Sequence, residues 1–146
     1  MITLTFAPTA IRDRTSNLII LSQSSTPKRG ITLFGVGTEI TYSPTSLNFG
    51  SVPVGMKSQM AVTFTNVGPT ALPINSVEID GKQTFSQTNT CNGSIPANGN
   101  CVFTVTFKPK VVGNDMAELK VKDGDPTTPQ VVNLSGMGTA APKPRR

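Results

Sequence analysis

The 146-residue sequence contains no histidine and no tryptophan, one tyrosine and two cysteines. Without histidine, the Ser-His and Cys-His pairs that activate a nucleophile cannot form. Two cysteines without histidine also fall short of the roughly four ligands that a zinc site uses. We therefore expect no enzyme activity, no metal and no cofactor.

Long apolar runs and helical periodicity are also missing. No run approaches the roughly 20 apolar residues of a membrane-spanning helix, so we expect no membrane insertion. No window places apolar residues at positions i, i+3 and i+4, as an amphipathic helix does. Instead, 13 glycines and 12 prolines separate short segments rich in Thr, Ser, Val and Asn. This pattern is typical of an all-β sandwich or barrel.

The positive charge lies mostly outside the middle of the chain. The net charge is +5, but residues 40–139 carry six lysines and six acidic residues and are neutral. The excess lies in residues 1–39 and in the tail that contains Lys143, Arg145 and Arg146. A nucleic-acid-binding domain concentrates basic residues on its folded surface, among stacking aromatic side chains. We therefore expect no nucleic-acid partner.

The two cysteines flank a turn-rich segment, Cys91–Cys101, that leads into the most clearly alternating stretch of the sequence. From Cys101 to Phe107 every second residue is apolar, as in a half-buried strand. The spacing suits a disulfide between the ends of neighbouring strands. A disulfide favours an exported protein, extracellular or on the cell surface. Two free thiols in a reducing cytosol are the alternative, and half of a metal site fails as a second one because the sequence has no histidine and no further cysteine.

The sequence repeats itself. A shift of 101 residues aligns residues 2–38 with residues 103–139 without gaps and gives ten identities. A period near 100 residues is that of a whole sandwich domain. In the first copy we predict three strands, near residues 2–7, 16–22 and 30–35. We divide the chain into the C-terminal third of a preceding repeat (1–39), a complete sandwich (40–139) and a proline-containing basic tail or linker (140–146).

Residues 40–139 contain about seven segments that predict strands. Their alternating apolar residues are expected to form the core: Leu47, Phe49, Val62, Phe64, Phe85, Phe103, Val105, Phe107, Leu119, Val121 and Leu134. Each copy ends with Gly-x-Gly. A phosphate-binding glycine loop would have to open a helix, so we interpret these glycines as hinges between modules: Gly35, Gly37, Gly136 and Gly138.

Asp123 and Asp125 form a close pair of carboxylates and are the candidates for catalysis. Asp and Gly are favoured in turns by backbone geometry, so a turn at Asp123-Gly124-Asp125 is the preferred interpretation. Weak calcium binding and a glycosidase-like acid pair are the alternatives.

Five motifs carry a family resemblance: Pro44–Gly55, Thr63–Gly68, Phe85–Cys91, Cys101–Pro109 and Leu134–Thr139. Together they resemble the bacterial members of the abnormal-spindle/hydin (ASH) immunoglobulin-like family, and residues 2–38 resemble the end of a preceding copy. The resemblance implies a seven-stranded immunoglobulin-like β-sandwich that serves for spacing and protein contact. It implies no catalytic residues.

We therefore expect a non-catalytic structural or interaction module of an exported, multi-domain bacterial surface protein. Met1–Phe6 has neither the basic start nor the apolar core of a signal peptide, so we interpret the chain as a fragment. Its expected partners are another protein or neighbouring copies of the module, with homo-oligomerisation through residues 2–35. The alternatives are an intracellular scaffold domain of the cilium or centrosome type, and an accessory module of a larger secreted enzyme.

Overall fold

The computed structural model describes residues 3–7, 12–21 and 28–141, and none of these forms a helix that could cross a membrane. Every regular element among them is a strand. In chain order the strands are β1 (Arg12–Leu21), β2 (Lys28–Gly37), β3 (Ile40–Ser43), β4 (Ser46–Pro53), β5 (Ser58–Asn66), β6 (Leu72–Gly81), β7 (Phe85–Asn89), β8 (Ser94–Ile95), β9 (Asn100–Phe107), β10 (Gly113–Asp123) and β11 (Gln130–Thr139).

The chain divides into two compact units. The N-terminal unit consists of residues 1–39 and 125–127, and the sandwich unit consists of residues 40–124 and 128–146. Of the predicted tail, residues 142–146 lie outside the described part of the chain.

The sandwich unit contains two sheets. One has the strand order β4-β11-β10-β6-β8 and the other the order β3-β5-β9-β7. Both sheets contribute buried side chains to one hydrophobic core, as sandwich packing requires. The predicted all-β sandwich is confirmed, with nine described strands in this unit instead of about seven. The two additional strands are the two-residue β8 and a second strand from the first predicted segment.

That first segment divides at Pro44. The alternation from Thr41 to Gly50 predicts a single strand, but β3 pairs with β5 in one sheet and β4 pairs with β11 in the other. Proline has no backbone N–H and interrupts a ladder of hydrogen bonds. The chain therefore changes sheets between Ser43 and Ser46, and β4 becomes the edge strand of the five-stranded sheet.

The core is centred on phenylalanine rings from both sheets. The Phe107 ring lies 4.7 Å from the Phe85 ring and 5.7 Å from the Phe49 ring, measured between centroids. Phe64 stacks on Tyr42 at 4.9 Å. The structure buries all the residues that the alternation assigns to the core: Leu47, Phe49, Val62, Phe64, Phe85, Phe103, Val105, Phe107, Leu119, Val121 and Leu134.

The N-terminal unit contains one antiparallel hairpin, β1–β2. The prediction of a first strand near residues 2–7 is wrong for its described part, because residues 3–7 form no strand. In the sandwich unit the equivalent strand is β9, which pairs with β5 and β7. Among the described residues, β1 and β2 pair only with each other, so residues 3–7 have no strand to pair with. Alternation alone therefore does not make them a strand.

The hairpins β1–β2 and β10–β11 have the same register. Leu18 lies opposite Ile31 in the first hairpin. Leu119 lies opposite Val132 in the second. Every pair between β10 and β11 has a counterpart 101 residues earlier between β1 and β2. The sequence repeat is therefore also a repeat of local structure.

Candidate functional site

An apolar face of the N-terminal unit is the main candidate contact site. We call it the open face, and it consists of Leu4, Phe6, Leu18, Ile20, Ile31 and Leu33. Phe6 is 53% exposed and Ile31 is 49% exposed. Their counterparts in the sandwich unit, Phe107 and Val132, are both 0% exposed. Side chains that form a core in one copy of the repeat are therefore accessible in the other.

The open face includes a groove of about 370 Å³. Leu4 and Phe6 lie on one side of it, and Leu33 and Gly35 lie on β2. The Phe6 ring packs so closely on Gly35 that a Cβ atom there would collide with the ring. Phe6 is therefore held over the hairpin while much of its surface stays exposed.

The outer edges of the same hairpin are also open. In the described part of the chain, β1 and β2 pair only with each other. In the sandwich unit, by contrast, β11 pairs in parallel with β4, and β10 pairs antiparallel with β6. An open strand edge presents backbone N–H and C=O groups that another strand can bind.

The glycines interpreted as hinges lie inside strands. Gly35 and Gly37 belong to β2, and Gly136 and Gly138 belong to β11. A Cβ atom at Gly136 would lie 2.5 Å from the Phe107 ring, and one at Gly138 would collide with the Val111 carbonyl oxygen. At Gly35, Gly136 and Gly138 the absence of a Cβ atom lets a ring or a backbone segment approach a strand closely. The role of these glycines as hinges stays a prediction.

Cys91 and Cys101 form a disulfide, so the free-thiol alternative does not describe this structure. Their Cα atoms lie 5.0 Å apart and both residues are buried. The bond joins the chain just after β7 to the second residue of β9. It therefore closes the turn-rich loop that contains β8.

Asn66 holds the neighbouring loop, a role that the sequence did not reveal. Its side chain is buried, and its Nδ2 donates to the carbonyl oxygens of Thr70 at 2.7 Å and of Ile95 and Pro96 at 3.2 Å. Its Oδ1 accepts a hydrogen bond from the Gly68 amide at 2.9 Å. The sequence signal was Asn66-Val-Gly-Pro69, which identifies a turn but not the distant carbonyl groups.

Asp125 is a buried hydrogen-bond acceptor. The amide and hydroxyl of Thr127 donate to its Oδ1 at 2.9 and 2.6 Å. The Thr38 hydroxyl and the Glu39 amide donate to its Oδ2 at 2.8 and 2.7 Å. Burial raises the pKa of Asp125, but these hydrogen bonds outweigh it and hold the pKa below its usual value. The carboxylate therefore organises the turn, as the preferred interpretation predicts.

Asp115 is a second buried carboxylate. The Lys82 Nζ lies 2.6 Å from its Oδ1 and also donates to the Asn114 carbonyl oxygen at 2.9 Å. Burial raises the pKa of Asp115, but the hydrogen bond and the charge of Lys82 contribute to a net lowering.

We expect these carboxylates to make the protein sensitive to acid. A carboxylate whose pKa is lower in the folded state stabilises the fold above its unfolded pKa, and this contribution is lost as the pH falls through the folded pKa. The free energy of unfolding should therefore fall below about pH 4. It should stay nearly constant from about pH 5.5 to 8, because the sequence has no histidine. Urea unfolding at a series of pH values measures both effects.

Asp115→Asn should lower the free energy of unfolding at pH 7 by about 1 kcal/mol and weaken its dependence on pH below 4. Glu118→Gln is the control: this carboxylate of the same strand is partly exposed and forms a surface ion pair with Lys120, so its change should leave both nearly unchanged. An acid transition that is identical in the Asp115→Asn protein would contradict the assignment.

Known proteins share this architecture. A family model described as Cep192 domain 4 matches residues 37–139. Among solved structures, the ASH/PapD-like domain of human CEP192 (PapD-like domain 7) is similar with a TM-score of 0.58 and 17% identity, over 72% of this chain and 88% of that chain. No curated protein sequence matches.

Two bacterial structures are also similar. A Porphyromonas gingivalis protein of unknown function has a TM-score of 0.61 and 14% identity, over 90% of this chain and 68% of that chain. The Vibrio cholerae VesB protease has a TM-score of 0.56 and 15% identity, over 68% of this chain but only 32% of the protease chain. At these identities the likeness concerns the fold.

Proposed function

Because the chain belongs, over residues 37–139, to the family described as Cep192 domain 4, we propose that it is a non-catalytic interaction module of the ASH type. The observation that carries the proposal is the open face, where Leu4, Phe6 and Ile31 are about half exposed. Contiguous exposed apolar surface marks a site of contact, here with a neighbouring copy of the module or with another protein. The two open edges of the hairpin favour an extended protein segment as that contact.

The module belongs, in this proposal, to a tandem array. Residues 1–39 are the C-terminal third of one repeat, residues 40–139 are the next repeat, and residues 140–146 are a linker or tail. The common register of the two hairpins supports this division. The match to the Porphyromonas gingivalis protein also supports this division, because it covers 90% of the chain, which is more than residues 40–146 make up. Such an array spaces and presents contact surfaces.

The proposed setting is an exported bacterial surface protein. The disulfide supports it, because disulfides persist in oxidising compartments and are rare in the cytosol. The second candidate is an accessory module of a larger secreted enzyme, which the partial match to a protease favours. Membership of a family named after Cep192 favours the third, an intracellular scaffold domain.

Thiol labelling in the cells that make the protein tests the proposed setting. We expect a maleimide-polyethylene glycol reagent, added as the cells are denatured without reductant, to modify neither Cys91 nor Cys101. After reduction it should modify both. Modification of both cysteines before reduction would overturn the exported location and favour the intracellular scaffold.

A further inference from the structure

The loop that the disulfide closes contains two Asn-Gly pairs, Asn92-Gly93 and Asn98-Gly99. Both asparagines are exposed, and both have a positive φ, 49° at Asn92 and 52° at Asn98. Because glycine has no Cβ atom, the peptide nitrogen that follows each asparagine is sterically free to approach the asparagine side chain. The two pairs therefore have the same local chemistry, and they differ in the structure that surrounds them.

Asn92 and Gly93 are the two central residues of a tight turn. The Ser94 amide closes this turn by donating to the Cys91 carbonyl oxygen at 3.0 Å. Gly93 has a φ of 83°, so both central residues have positive φ, as in a type I′ turn. The Gly93 amide lies at the tip and has no acceptor among the residues that the structure describes. A Cβ atom at Gly93 would meet nothing within 4 Å, so the space around this peptide is open.

Asn98-Gly99 occupies a different place in its turn. Here the glycine amide itself closes the turn, because Gly99 donates to the Pro96 carbonyl oxygen at 3.0 Å. The Asn98 amide also donates, to the Gly68 carbonyl oxygen at 3.0 Å. The surroundings are tighter as well, since a Cβ atom at Gly99 would lie 3.1 Å from the Pro96 Cβ atom. The nitrogen that follows Asn98 is therefore engaged in a hydrogen bond, whereas the nitrogen that follows Asn92 is not.

We propose that Asn92 is a site of spontaneous deamidation and that the fold protects Asn98 from the same reaction. The Gly93 backbone nitrogen attacks Cγ of Asn92 and gives up its proton. The new N–Cγ bond forms as the Cγ–Nδ2 bond breaks, and Nδ2 leaves as ammonia. Water then opens the resulting five-membered succinimide ring and gives either aspartate or isoaspartate.

Either product changes the charge of this end of the sandwich. Residues 91–101 contain no charged side chain, and the reaction adds one carboxylate to them. The flanks of the turn remain anchored, because Cys91 is bonded to Cys101 and the Ile74 amide donates to the Gly93 carbonyl oxygen at 2.9 Å. The modified chain therefore differs from the unmodified chain by one negative charge, and it can be separated on that basis.

The test follows both asparagines in the whole chain during incubation at mildly alkaline pH. Trypsin digestion after reduction releases residues 83–110 as one peptide, in which tandem mass spectrometry locates the deamidated residue. In the folded protein Asn92 should react at least about fivefold faster than Asn98, because the hydrogen bond of the Gly99 amide must break first. In urea with reductant both turns are lost. The two asparagines should then react at similar rates, since each is followed by glycine.

Ion-exchange chromatography of two variants gives a second measurement. Asn92→Gln should abolish the more acidic species that accumulates in the unchanged protein, because glutamine would have to close a larger ring. Asn98→Gln, the matched control, should leave that species in place. Equal rates at the two asparagines of the folded protein, or a faster reaction at Asn98, would overturn the proposal. So would a folded protein that reacts at neither asparagine while the unfolded chain reacts at both.

Discussion

Phe107→Ala is expected to lower the free energy of unfolding by about 3–5 kcal/mol, whereas Phe6→Ala should lower it by less than about 1 kcal/mol. The two residues occupy the same position in the repeat, and each packs its ring on a glycine of the following hairpin. They differ in what lies on the other side of the ring. Phe107 is fully buried beside Phe49 and Phe85, while Phe6 is about half exposed.

The difference follows from the contacts that each truncation removes. Replacing a buried ring by a methyl group loses its transfer free energy and leaves a cavity, because the surrounding rings relax only in part. At Phe6 the exposed half of the ring contributes little, and solvent fills the space that it leaves. Urea unfolding of both variants, followed by far-ultraviolet circular dichroism, measures the two changes. Similar losses for both would mean that the open face is covered in solution.

Removal of the disulfide is expected to lower the free energy of unfolding by about 2–3 kcal/mol. The bond joins residues separated by ten positions, so it restricts the unfolded chain by closing a short loop. Breaking it also frees the loop that contains β8, whose Ile95 is fully buried. The double variant Cys91→Ala, Cys101→Ala and the unchanged protein in reductant should therefore unfold at a similarly reduced urea concentration.

Reductant serves as the control for this prediction. It should destabilise the unchanged protein but leave the unfolding midpoint of the double variant where it is. An unfolding midpoint of the unchanged protein that does not move on reduction would contradict the prediction. In that case the hydrogen bonds of Asn66 to Thr70, Ile95 and Pro96 would be sufficient to hold this end of the sandwich.

The sequence predicted those features that depend on neighbours along the chain. Alternation with a period of two identified β9 and its buried residues Phe103, Val105 and Phe107, because successive side chains of a strand point to opposite faces. The spacing of Cys91 and Cys101 suggested a disulfide for a similar reason, since a turn of that length brings two strand ends together.

Features that depend on distant partners were missed. Asn66 looked like a turn residue, but the three carbonyl groups to which its Nδ2 donates lie 4 to 30 residues away in the sequence. The packing of Phe107 on Gly136 was also missed, because nothing near the Gly-x-Gly sequence indicates it. The change of sheets at Pro44 likewise depends on which strands are available for pairing.

An all-β chain, a repeat of 101 residues, a set of inward-facing apolar residues and a candidate disulfide pair can all be predicted from local periodicity or spacing. Which copies of those apolar residues are buried cannot be predicted in this way. Phe6 and Phe107 have nearly the same local sequence, and one is exposed while the other is in the core. The reason is physical: burial of a strand residue is supplied by strands that pair and pack from elsewhere in the chain, and the described residues supply them to β10 and β11 but not to β1 and β2.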